Sequence, residues 1–124
     1  MPLIQRFEDI KGWQEARTLV KKIYQITKVL PFSRDFGLVD QIQRASVSVM
    51  ANIAEGFDCD SPLEFARFLG IARRSIVEVQ SLLYVALDAG YISAEAFQDI
   101  YQQANKTKGL VGALKHSLKN TRKQ

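Results

Sequence analysis

Apolar residues recur along this chain at alternating steps of three and four, the spacing that lines one side of an α-helix. The first such stretch covers about residues 12–30. Trp13, Ala16, Val20, Ile23, Thr27 and Leu30 form its seam, and Gln14, Glu15, Arg17, Lys21, Lys22, Gln25 and Lys28 fill the opposite side. Pro31 ends it, because the residue before a proline is pushed out of the helical region. A second helix fits residues 35–55, with Leu38, Ile42, Ala45, Val49 and Ile53 as seam and Gly56 as a left-handed C-cap. The third, over 62–89, has the clearest start: Ser61, Pro62 and Glu64 supply an N-cap, a first-position proline and a capping-box carboxylate, and Gly90 is the stop. The fourth, over 94–119, carries Phe97, Ile100, Ala104, Thr107, Val111, Leu114 and Leu118. In it, Gly109 and Gly112 either weaken the helix by about 1 kcal/mol each relative to alanine or admit a close neighbour. Short connections favour antiparallel neighbours, so the expected fold is all-α, an antiparallel up-down-up-down four-helix bundle forming one domain over residues 1–124.

The third helix carries more apolar surface than one core needs. Phe65, Leu69, Ala72, Ile76, Val79, Leu83 and Ala86 complete a seam, while Phe68, Ile71, Leu82 and Val85 make a second stripe on another flank. Either the second stripe is a subunit interface, or the core stripe is wide and covered by the stems of Arg67, Arg73 and Arg74. The large side chains of the stripe favour the interface, and hence a homo-oligomer.

Composition narrows the chemistry. Hydrophobic residues make up 47% and charged residues 24% of the chain, a globular balance. No apolar run approaches the roughly 20 residues that span a bilayer, and the N-terminus lacks a secretory signal, so a cytoplasmic protein without membrane contact is expected. A lone cysteine, Cys59, excludes an internal disulfide, and Asp58 and Asp60 beside it disfavour a thiolate. The lone histidine, His116, has no Glu-x-x-His partner set for a di-metal bundle and no arginine at the spacing of helical ribonucleases. Asp58, Asp60 and Glu64 are not set in a calcium loop and suit the positive pole of the third helix. No catalytic residues, metal or cofactor are therefore expected.

The net charge of +4 is uneven. Residues 100–124 hold Lys106, Lys108, Lys115, Lys119, Arg122 and Lys123 and no acid. Such a segment attracts phosphate or an acidic partner; the alternative is a solvated helix end suited to the negative pole of the dipole. A polar group stands out on the second and third helices, where Arg44, Ser48, Asn52 and Glu55 share one helical side and Ser75 and Glu78 another. Folding at the Cys59 loop places Gly70 near Ser48 and Glu78 within reach of Arg44. A buried interhelical network that fixes register is one reading; a patch facing a ligand or an oligomer's channel is the other.

The run from Gln41 through Gln43, Arg44, Ser48, Asn52, Ile53, Ala54 and Glu55 to Gly56 resembles the signature of the four-helix-bundle proteins of bacterial large-subunit rRNA intervening sequences. Phe7 to Ile10, Trp13 to Ala16, Ser61 to Phe65 and Phe68 to Glu78 extend the similarity, which covers about residues 7–115. The chain departs from the family's usual residues at Gln43, Arg74 and Gln80. The resemblance implies a homopentameric ring and a relation to the accessory variability proteins of diversity-generating retroelements, which are basic, bind nucleic acid and partner a reverse transcriptase. The expected function is a non-enzymatic homo-oligomeric scaffold or accessory protein with weak, nonspecific RNA or DNA binding. The alternative is a protein-interaction module with an acidic protein partner and no nucleic-acid role.

Overall fold

A computed structural model of the chain describes residues 4–122, and side chains as far as residue 118. Among them lie α1 (Lys11–Thr27), α2 (Phe36–Phe57), α3 (Pro62–Asp88) and α4 (Ala94–Arg122), with short 3-10 helices at Phe7–Asp9 and Phe32–Arg34 and no strand. Each helix packs on its neighbours in sequence, α1 closes against α4, and the α2–α3 and α3–α4 contacts are the most extensive.

Contacts across the interfaces fix the directions. Gly56 faces Phe68 while Ser48 meets Ser75, so α2 and α3 run oppositely. Gly70 faces Lys115 and Gln80 meets Asn105, which makes α3 and α4 antiparallel. Gly12 faces Val111 and Lys22 reaches Asp99, which does the same for α1 and α4. With α1 closing on α2, the four alternate up and down.

Helix α1 stops at Thr27, short of Leu30. A proline ring collides with the carbonyl four residues earlier, here that of Thr27, and cannot donate to it. The Thr27 hydroxyl instead donates to the Ile23 carbonyl at 2.8 Å. The buried face of α1 is Gly12, Ala16, Leu19, Ile23 and Thr27, so Leu19 takes the place expected of Val20, and Leu30 is 63% exposed. The seams of α2 and α4 lie where the periodicity puts them, from Leu38 to Ile53 and from Phe97 to Val111. Ser61 caps α3, its hydroxyl accepting from the Glu64 N–H at 3.3 Å with Pro62 opening the helix. Gly90, at φ 80°, turns the chain out of α3.

Gly56 is a different matter from the C-cap the sequence indicates. It lies inside α2, which continues to Phe57, and it is buried against Phe68 and Phe65. Its role is close approach of two helices.

Candidate interaction surfaces

Between α2 and α3 the structure holds a small polar cluster. The hydroxyls of Ser48 and Ser75 lie 3.0 Å apart, and the Asn52 amide donates to the Ser48 hydroxyl at 3.0 Å and to its carbonyl at 2.8 Å. Each member is half-buried. Arg44 and Glu78 line the same groove of about 400 Å³, so the expected register holds, yet they are exposed rather than buried. The Arg44 Nε donates to both oxygens of Asp40, one turn back, at 3.0 Å, and its side chain is 80% exposed. An acceptor on the same helix needs no reach across the groove. An exposed pair of this kind contributes about 0.2–1 kcal/mol, well below a buried one. Glu55 is exposed too, outside the cluster.

The second stripe of α3 is not one surface. Leu82 is buried in the chain's own core. Phe68 seats against Gly56, Ile71 is half-buried, and Val85 is half-exposed. Among the described residues the exposed large apolar side chains include Leu63, Val77, Tyr84 and Val85 of α3 and Val29, Leu30 and Phe36 around the α1–α2 connection, Phe36 at 78% exposure.

The cations of α4 point in different directions. Lys106 approaches the Glu15 carboxylate of α1 at 3.5 Å. The Gln103 amide also donates to that carboxylate at 2.9 Å, and this bond, aided by the charge of Lys106, holds the Glu15 carboxyl below its usual range. A group lowered in this way contributes stability above its ordinary range and loses it as pH falls through the lowered value. Glu15→Gln is therefore expected to be less stable than the parent at neutral pH, with the two melting curves converging in acid.

On the other side of α4, Lys108 donates to the Gln80 side-chain oxygen at 3.2 Å, and Gln80 donates to Asn105 at 2.8 Å. Lys115 turns towards α3, where a Cβ on Gly70 would stand 3.0 Å from its Nζ. Gly70 thus faces Lys115 of α4, and Ser75 is the residue opposite Ser48. The side chains of Lys119 and Arg122, and Lys123 as a whole, lie outside the described residues.

Arg73 is the cation that sequence reasoning did not single out for binding. It lines a groove of about 290 Å³ with Gly112, Lys115 and His116. A second groove, of about 390 Å³, is lined by Pro62, Leu63, Ala66 and Leu118 together with Glu64, Arg67 and Lys115. Arg67 is already committed, donating to both Glu64 oxygens at 3.1 and 3.2 Å. Among the described residues no group of three or more His, Cys, Asp or Glu is placed to hold a metal, and no helix is long and apolar enough to cross a membrane.

A closed set of four antiparallel helices, with its polar groups on surfaces and seams, defines a helical-bundle protein. The family model described as 23S rRNA-intervening sequence protein matches residues 8–113, and the chain belongs to that family. Its fold is similar to the crystal structure of a protein of unknown function from the S23 ribosomal protein family of Bacteroides thetaiotaomicron. The TM-score is 0.77 at 22% identity, over 83% of this chain and 96% of that one. No curated protein matches the chain.

Proposed function

We propose that the protein is a non-enzymatic helical scaffold or accessory protein that assembles with copies of itself, as a pentamer by family resemblance, and works in the cytoplasm. The observation that carries self-association is the exposure of large apolar side chains, Phe36, Leu30, Val77 and Val85 among them. A weak, sequence-independent affinity for nucleic acid completes the reading, supported by the acid-free basic stretch of α4, which a ring would repeat.

Native mass spectrometry of protein purified with and without nuclease tests both parts at once. An oligomer is expected, and a monomer at micromolar concentration rejects the scaffold. Val85→Asp should weaken the assembly while circular dichroism keeps its helical signal, because a charge entering an apolar interface is left unpaired. In gel retardation, log K should fall by about 0.7–0.9 per log unit of salt for each phosphate contacted. Retention of a single preferred sequence would contradict the electrostatic account.

A further inference from the structure

The grooves between α3 and α4 combine an aliphatic floor with two cations, Lys115 where a side chain at Gly70 would stand and Arg73 at ordinary contact distance from Gly112. Lys115 is common to both grooves, joining the Leu63, Ala66 and Leu118 side to the Arg73 and His116 side. Each cation lies over a glycine of the opposite helix: Lys115 over Gly70, and Arg73 against Gly112, whose Cβ would stand 4.0 Å from the Arg73 Nε. Among the described residues no carboxylate forms an ion pair with either, whereas Arg67 is held by Glu64 and Lys106 by Glu15. Leu63 is half-exposed at the mouth of the aliphatic groove.

We propose that this double groove binds an acidic, amphipathic segment of a partner protein, with leucine-like side chains on the aliphatic floor and carboxylates on Lys115 and Arg73. The charge identifies the occupant as anionic. The floor identifies it as apolar on one face, in the manner of a helix laid in a groove. A nucleic acid matches only the first requirement: the lining of the aliphatic groove holds no aromatic ring on which a base could stack, and the one imidazole of the double groove, His116, lies on the Arg73 side, away from that floor. The proposal does not depend on the number of subunits.

The probes are fluorescein-labelled helical peptides read by anisotropy against the full chain. One has leucines at every third or fourth position with glutamates between. A second replaces the leucines by serine, a third replaces the glutamates by lysine, and a uridine oligonucleotide is the fourth. The leucine–glutamate peptide is expected to bind, and the serine and lysine versions to bind at least about tenfold more weakly, the equivalent of one well-made contact. Lys115→Glu with Arg73→Glu should abolish binding, and Gly70→Val, which retains both charges but fills the Lys115 seat, should weaken it. Lys106→Glu, on the α1 side, should leave it unchanged. Equal binding of the serine peptide, tighter binding of the oligonucleotide at the same residues, or no peptide binding would each overturn the proposal. Sedimentation of the same variants separates this outcome from a failure of self-association.

Discussion

Replacing Phe32 by alanine is expected to destabilise the protein by about 3–5 kcal/mol, the range for removing a fully buried aromatic ring. Phe32 sits in the connection between α1 and α2, yet it is completely buried and is, among the described residues, the largest side chain so enclosed. Its ring stacks on Tyr91 of the α3–α4 connection, with centroids 5.1 Å apart and planes 25° apart. The Tyr91 hydroxyl donates to one oxygen of Asp35 at 2.9 Å, and the other accepts the Leu38 N–H at 3.1 Å, capping α2. The carboxylate beside it raises the Tyr91 phenol above its ordinary pKa, so the donor stays protonated through the neutral range. Phe32→Ala therefore opens a cavity and removes the stacked neighbour of the residue that ties the two connections together. Thermal unfolding should show a midpoint lowered by roughly 10–25 °C for a domain of this size. Tyr91→Phe keeps the stack and loses only the hydrogen bond, and should lie between the parent and Phe32→Ala. A loss for Phe32→Ala no larger than that of an exposed substitution would show that the ring is outside the cooperative core.

Phe32 also shows where reading the chain by period runs out. Periodicity places the seams of α2 and α4, and Ser61 with Pro62 marks the start of α3, because those features depend on local spacing and local hydrogen bonding. Phe32 lies between two helices, where there is no period to reveal that its ring is enclosed. Gly56 follows a long seam and precedes a polar turn, so it has the sequence surroundings of a C-cap; only the position of Phe68 on another helix distinguishes the two roles. Leu82 and Val85 have similar spacing on α3, yet one is in the core and the other half in solvent, a difference set by how neighbouring helices cover that flank. The fold brings Arg44 and Glu78 to one groove, but long charged side chains have several partners within reach and Asp40 is nearest along the helix.

The surfaces follow the same division. The excess of positive charge over residues 100–124 is visible from composition, but its partition is not. Lys106 belongs to Glu15 and Lys108 to Gln80, while Lys115 joins Arg73, which a sequence count assigns to a different segment. The peptide binding proposed above rests on the α3–α4 groove, where Lys115 and Arg73 meet, and not on the number of lysines in α4. Gly70 leaves room for Lys115 of the opposite helix, whose Nζ would stand 3.0 Å from a Cβ there.

Gly56 carries the second large expected effect, and one helix supplies both the test and its control. A Cβ at position 56 would stand 2.6 Å from the Phe68 Cβ and 3.0 Å from a ring carbon of Phe65. The Phe68 Cβ is fixed to its backbone, so no rotamer change relieves the first contact and α3 itself must move. Gly56→Val is expected to cost about 3 kcal/mol, the upper end of ordinary overpacking. Gly56→Ala gains about 0.8–1 kcal/mol of helix propensity, which offsets part of a smaller clash and leaves a net loss. Gly37, near the start of the same helix, has nothing within 4 Å of its Cβ position. There the alanine substitution meets no obstacle and should stabilise by about 0.4–1 kcal/mol, mainly by restricting the unfolded chain. Urea unfolding of the two alanine variants should thus move the midpoint in opposite directions. If Gly56→Ala raises the midpoint as Gly37→Ala does, α2 and α3 do not cross as closely as the Phe68 contact requires, and the register that brings Ser48 to Ser75 loses its anchor.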